Sequence, residues 1–384
     1  MIDVLHLIQT LRLGGAERNL YNLVRAMDAG AVRNHVGYCY GGEFEPLFSR
    51  ADIRLFKYSK KIHKFKSAET FFAVIRTLLY VRRHHIRVIH THNFNGHMLG
   101  LIAARLSGAK LIEHVHDFRY IEKEDREEGQ SFVKQFDFVY RLKGQSDRVV
   151  VLTRQNADFL LKNRLYGPDR VRLIRNGIPL DEPVPSGEGL RKKLDISPGS
   201  PVLLTPVRMS KVKNLDLLFG VAPVVAARFP EVLFLAAGDG PMLDAYRERA
   251  RKEGLEKNLR FIGFYPETRE LLAVSDVMLL PSFLELHSIA ILEALSMKVP
   301  VVISRGVGCN SEVFHDWQDG VLLDPFSAKE WSEALTTLLE DPGKRRAIGE
   351  RGYALCRENF DMPQTARKFE ALYAELAAPV LGKP

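Results

Sequence analysis

Short apolar runs alternate along this chain with longer stretches whose apolar positions recur every three or four residues, a pattern that predicts strands alternating with helices in an α/β fold built on parallel sheets. In the first half the expected strands are Val4–Ile8, Val36–Tyr40, Val88–His90, Lys110–Val115, Arg148–Leu152 and Val171–Ile174. Helices are expected over Ala16–Met27, over Met98–Leu106 and within the segment from Arg54 to Arg87. From Glu182 to Ser200 the composition turns to Pro, Gly, Ser and charge, which marks a linker. A second series of strands then begins: Pro201–Pro206, Val232–Ala237, Arg260–Ile262, Val277–Leu280, Val299–Ile303 and Gly320–Leu323. A helical pattern follows over Pro363–Leu376. The predicted architecture is two doubly wound domains of similar size facing a central cleft, 1–182 and 183–362, with a helix over about 363–384 returning to the first.

The length of 384 residues and the 46% hydrophobic share suit two domains that each bury a core. Cys39, Cys309 and Cys356 are widely spaced, which supports neither disulfides nor zinc and suits a reducing cytoplasm. Met1–Leu11 lacks the basic start and cleavage site of a signal peptide and reads as a first buried strand; no apolar run approaches the length of a membrane span. The net charge of +8 favours an anionic partner. Between Arg54 and Arg87 a dense set of Lys and Arg faces one acid, Glu69, and Phe71, Phe72, Val74, Ile75, Leu78, Leu79 and Val81 recur at helical spacing. This basic amphipathic helix either packs its apolar stripe on the sheet or lies on an anionic membrane surface as a peripheral contact. Nucleic acid is not an expected partner, because no DNA- or RNA-binding motif interleaves these charges with aromatics.

The richest segment for chemistry runs from Pro281 to Leu295. It follows a strand, opens a helix and carries Glu285 and Glu293. Ligands bind where strands end and helices begin, since free N–H groups and the helix dipole point outward there. A fully helical 285–293 would span roughly 12 Å, enough to place two acceptors along one sugar or ribose ligand. Arg208 and Lys213 flank the turn after the first strand of the second series, where a guanidinium fork and a point charge could neutralise a diphosphate; Lys211 is an alternative to Lys213, and solvated surface cations are the ordinary reading. Gly14 and Gly15 precede a helix and serve either a ligand's close approach or a simple turn, with Glu17 as a first-turn acid. His116, at a strand end, can reach a sugar hydroxyl or be structural, whereas His90 and His92 lack a third ligand at metal-site spacing. Gly238-Asp239-Gly240 is a nucleotide-facing turn rather than a dinucleotide fingerprint, since the third glycine is missing. No Asp-x-Asp clamp calls for a divalent metal.

In this order the motifs resemble the retaining glycosyltransferases of the GT-B fold, of the family-4 (group 1) type; Asn176-Gly177-Ile178 before the linker adds to the set. The resemblance implies sugar transfer from a nucleotide donor, a UDP-, GDP- or ADP-sugar, to a glycan or lipid-linked glycan acceptor, without metal or other cofactor. It also implies a setting in bacterial surface polysaccharide or glycolipid synthesis, at the inner face of the cell membrane. Carried over, Glu293 holds the ribose, Glu285 contacts the donor sugar, and Arg208 and Lys213 stabilise the leaving diphosphate. The Gly14-Gly15 loop and Gly238 meet the donor, and His116 meets the sugar at its 6-hydroxyl or reaction centre. His287, Ser288 and Ile289 complete the donor site. The sequence departs from the family where Leu286-His287-Ser288 replaces the usual Gly-Phe-Gly after the first glutamate. No residue presents itself as an obvious covalent nucleophile, which agrees with the front-face route that the resemblance implies. A catalytically silent nucleotide-sugar-binding protein and a sugar-nucleotide epimerase on the same architecture are the competing readings.

Overall fold

The strand-forming runs assemble into two sheets, each wholly parallel. This computed structural model describes residues 1–51, 53–60, 68–116 and 145–378. The chain divides into two compact units, Met1–Gly177 with Met362–Pro384 (unit 1) and Ile178–Asp361 (unit 2).

Unit 1 carries β1 (Ile2–Leu7), β2 (Val32–Tyr38), β3 (Arg54–Lys57), β4 (Val88–Thr91), β5 (Lys110–His114), β6 (Arg148–Val151) and β7 (Val171–Leu173). Their spatial order is β3-β2-β1-β4-β5-β6-β7. The chain starts at the centre, winds outward through β2 and β3, then returns to β4 on the other side. The loops after β1 and β4 therefore diverge at one switch point. The helix Met362–Ala377 covers one face of this sheet, where Phe369, Leu372 and Tyr373 join Val4, Val88, Ile112 and Val150 in one buried cluster.

Unit 2 repeats the plan with β8 (Val202–Pro206), β9 (Leu233–Ala237), β10 (Leu259–Gly263), β11 (Val277–Leu280), β12 (Val301–Ser304) and β13 (Val321–Leu323), in the order β10-β9-β8-β11-β12-β13. β9, β11 and β12 are buried along their whole length, because a parallel sheet between two helical layers has no solvent face. The stretch from 182 to 200 is not an open linker: it contains the helix Glu188–Lys193 and inserts Leu190 and Ile196 into the core of unit 2.

The basic amphipathic helix is Ala68–Arg83, and its apolar stripe faces the opposite way from the packed reading. Thr70, Ala73, Thr77 and Val81 face inward, while Phe71, Phe72, Ile75 and Leu79 are 63%, 54%, 36% and 59% exposed. Small inward residues let this helix lie close beside its neighbour Phe94–Ser107, and Thr77 turns its hydroxyl back to the Ala73 carbonyl at 2.7 Å. The segment 61–67 of the predicted basic region lies outside the described residues.

Candidate active site

In unit 2 the switch point lies between β8 and β11, and the two loops that leave it carry the predicted donor residues. The loop after β8 tightens into a single 3-10 turn, Lys211–Lys213, and ends at Asn214 with φ of 53°. Asparagine tolerates this left-handed backbone, and its side-chain amide donates to the carbonyls of Pro281 at 3.1 Å and Pro325 at 2.8 Å. The Phe283 N–H donates to the Val212 carbonyl at 2.8 Å, which sets the two loops in register. As a result Lys213 Nζ stands 2.6 Å from Glu285 Oε1, and the Ser282 hydroxyl donates to the same oxygen at 2.9 Å. Both side chains are mostly withdrawn from water, Lys213 at 18% and Glu285 at 10% exposed.

The helix opened by this segment begins at Ile289 and ends at Ser296, later than a start beside Glu285 would give. Glu285 therefore lies in the preceding loop, and Glu293 is only about one turn into the helix, buried at 3% exposure. Ser288 occupies the N-cap position with φ of −70° and ψ of 125°, but its side chain makes no capping bond, so it leaves the first N–H groups of the helix uncapped. Leu286 and His287 turn inward: they are 5% and 7% exposed, and the His287 ring packs on Phe360 with centroids 4.8 Å apart. Of the two side chains at the family's glycine positions, Leu286 is thus buried behind the loop, and Ser288 stays partly exposed.

Arg208 is exposed, and its side chain has no ion-pair or hydrogen-bond partner among the described residues. Gly238 and Gly240 are required by packing of the main chain. Their φ values are 147° and 154°, and a Cβ would approach the Val207 carbonyl to 2.0 Å and the Met209 carbonyl to 2.4 Å. The turn that carries Arg208 is therefore held against 238–240 by backbone contact, reinforced by the Met209 N–H donating to the Asp239 carbonyl at 2.9 Å. Two supports escaped the sequence reading, Ser282 and Gly308. Gly308 has φ of 57°, and a Cβ there would meet the carbonyls of Glu285 and Leu286 at 2.5 Å. The spaced pair Gly306 and Gly308 after β12 was the available signal.

In unit 1 Gly14 is the N-cap of the helix Gly15–Ala26 and has extended backbone. The Glu17 carboxylate folds back over it, with Oε2 2.4 Å from where a Gly14 Cβ would stand. Glu17 is 8% exposed, and burial raises its pKa to about 7. His116 follows β5, with Nε2 3.2 Å from His92 Nδ1. The spacing of His90 and His92 along the chain offers no third ligand, but strand pairing brings other histidines beside them. Adjacent strands bring His6, His90 and His92 together as one group and His92, His114 and His116 as another, each with ligand atoms within 4.8 Å.

The description "Glycosyl transferases group 1" matches residues 187–355, and "Glycosyltransferase Family 4" matches residues 13–182. The chain belongs to the group 1, family-4-type glycosyltransferases. Among its relatives, D-inositol 3-phosphate glycosyltransferase of Corynebacterium glutamicum is 26% identical over 306 residues, covering 76% of this chain and 72% of that protein. UDP-Gal:alpha-D-GlcNAc-diphosphoundecaprenol alpha-1,3-galactosyltransferase of Escherichia coli is 26% identical over 261 residues, covering 66% of each. The fold of this glycosyltransferase is GT-B: it matches Anabaena HepE in complex with UDP and glucose at a TM-score of 0.82, with 20% identity, 97% of this chain and 100% of that chain covered. WaaG, a glycosyltransferase involved in lipopolysaccharide biosynthesis, matches at 0.75 with 20% identity, covering 96% of this chain and 99% of that one.

Proposed function

We propose that this glycosyltransferase moves a sugar with retention of anomeric configuration from a UDP-sugar, bound to unit 2, to a lipid-linked glycan. The observation that carries this reading is the Lys213–Glu285–Ser282 cluster beside the uncapped start of the helix Ile289–Ser296. Both bonds to Glu285 fall on Oε1, which leaves Oε2 to accept from a hydroxyl of the donor sugar. Lys213, Arg208 and the helix N–H groups supply positive charge to the diphosphate as the glycosidic bond breaks, and in this reading they serve where other transferases use a metal. The departing phosphate then takes the acceptor proton on the same face of the sugar. Glu293 binds the ribose, Gly14-Gly15 and Gly238 border the donor, and His116 meets the sugar. His287 acts by packing behind the loop. The choice of UDP rests on HepE, which binds UDP and glucose, and on the UDP-Gal-dependent relative.

The acceptor class is supported by the outward stripe on Ala68–Arg83. At about 100° per residue, Phe71, Phe72, Ile75, Leu79 and Arg82 fall within a single arc of about 100°, bordered on one side by Arg83 and Arg76. An apolar patch edged with cations fits an anionic bilayer surface, where a lipid-linked sugar resides and where bacterial surface glycans are built. No helix among the described residues is long and apolar enough to cross a membrane. A thermal-shift panel of UDP, GDP, ADP and their sugars tests the donor, with a concentration-dependent rise expected for the uridine compounds alone. The anomeric configuration of the product, read by NMR, tests retention. An inverted product, an epimerised donor formed without acceptor, or donor binding with no turnover would each overturn the reading.

A further inference from the structure

The sequence motifs His90-Thr-His92 and His114-Val-His116 sit at the ends of neighbouring parallel strands. Residues two apart point to the same face of a strand, so four imidazoles meet above β4 and β5. His6 on β1, in register with His90, adds a fifth. No role in sugar transfer given above uses His6, His90, His92 or His114.

The hydrogen bonds of this group run in two lines, each ending at a fixed anchor. In the first, His6 Nε2 is 3.0 Å from Asn34 Oδ1, and His6 Nδ1 is 3.1 Å from His92 Nε2. The Asn34 amide is oriented by donating through Nδ2 to the Val24 carbonyl at 3.4 Å. Its oxygen therefore accepts from His6 Nε2–H, His6 Nδ1 accepts from His92 Nε2–H, and His92 is left with its Nδ1 lone pair toward His114 and His116. In the second line Tyr373 Oη is 2.7 Å from His90 Nδ1, and His90 Nε2 is 3.2 Å from His114 Nδ1. A phenol hydroxyl can donate or accept, and with Tyr373 accepting, His114 Nε2 carries a lone pair.

That His114 Nε2 is buried and has no hydrogen-bond partner among the described residues. An orphaned polar atom of this kind is costly unless something fills the space beside it. The candidate nitrogens of His92, His114 and His116 lie within 4.8 Å of one another. Three such atoms fit on a circle of radius about 2.8 Å or less, so small side-chain shifts bring all three to the 2.0–2.1 Å bonds of a metal–imidazole centre. His92 and His114 each have the far ring nitrogen bonded to another imidazole that is itself anchored, the outer support that metal-ligating histidines characteristically have.

We propose that His92, His114 and His116 bind a single divalent first-row transition ion of the imidazole-preferring class, Zn²⁺, Co²⁺ or Ni²⁺, with His6 and His90 as the outer partners that orient two of the ligands. His116 enters the site by carrying its ring proton on Nδ1, so that Nε2 turns its lone pair to the ion. With three neutral ligands and a partly open rim at His116, the ion keeps a coordination position for water or another oxygen donor.

The test uses the full chain, free of any histidine tag, stripped with chelator and titrated with Co²⁺. The expected result is a saturable visible absorption of a nitrogen-ligated, low-symmetry Co²⁺ centre, with one ion bound per chain by elemental analysis, displaced by Zn²⁺. His114→Ala is expected to weaken binding by more than about 100-fold, and the outer-shell change Tyr373→Phe by about 10-fold. His116→Ala, at the open rim, serves as the second ligand variant should His114→Ala fail to fold, with circular dichroism as the check. Absence of a saturable band in the wild type, or unchanged affinity in a folded ligand variant, would overturn the proposal and leave water as the group beside His114.

Discussion

Replacing Lys213 by Met separates a cation that serves the leaving group from one that only satisfies a buried carboxylate. Lys213 and Glu285 are 18% and 10% exposed and meet at 2.6 Å. Breaking a fully buried pair costs about 3–5 kcal/mol; the residual exposure here and the surviving Ser282 bond reduce that to about 1–3 kcal/mol. In the transition state the same change removes one donor from the developing diphosphate charge, which lowers kcat/KM by about 100- to 1,000-fold, or about 2.7–4 kcal/mol. Arg208→Ala is the control. This exposed side chain has no partner among the described residues, so stability should stay within about 0.5 kcal/mol while the rate falls similarly. In the double variant Lys213→Met with Glu285→Gln the stranded carboxylate is gone, and a coupling of about 0.5–3 kcal/mol should appear in stability. Release of nucleoside diphosphate under saturating acceptor gives the rates, and thermal unfolding gives the stabilities. Turnover of Lys213→Met within about tenfold of wild type would refute the assignment of this lysine to the leaving group.

Burial raises the Glu17 pKa to about 7, so the folded state holds a proton that the unfolded chain releases near pH 4.5; the associated stability is full below that pH and lost as pH rises through about 7. Glu17→Gln should therefore gain about 3 kcal/mol over wild type above pH 8 and little at pH 4, and a pH-independent difference in thermal unfolding would count against it. Gly14→Ala should cost under about 1 kcal/mol, because its Cβ meets only the flexible end of Glu17, yet should depress turnover if a ligand approaches this loop. Gly238→Ala, which drives a Cβ against the Val207 carbonyl, should instead destabilise unit 2. Phe71→Ser with Leu79→Ser should leave the melting temperature unchanged and reduce co-sedimentation with anionic vesicles, since both side chains are already exposed; vesicle binding equal to wild type would remove the membrane from the proposed function.

The twofold strand series was readable because the strands of a covered parallel sheet are themselves apolar runs, as in β9, β11 and β12. β3 was not: Arg54 and Lys57 bound it, and an edge strand with charged ends reads as part of a charge run. The helix Ala68–Arg83 shows a different limit. Periodicity located the stripe, but which face turns inward was decided by Thr70, Ala73 and Thr77, whose small size permits close packing. The donor loops were legible as motifs, whereas Ser282 and Gly308 gain their importance only through contacts with Glu285 and Leu286 that spacing does not encode. The histidines were visible singly, and it is strand adjacency that gathers them into two groups.

Unit 2 is interposed within unit 1, since the chain leaves unit 1 at Gly177 and re-enters it at Met362. During synthesis all of unit 2 emerges, and can fold, while the first sheet still lacks the helix that covers it. Until Phe369, Leu372 and Tyr373 arrive, the cluster of Val4, Val88, Ile112 and Val150 with Leu23 and Met27 is incomplete on that face, and His90 has no phenol. The half of the enzyme that begins translation is thus the half that matures last, and the nascent chain most in need of chaperone protection is one that already carries a complete second unit.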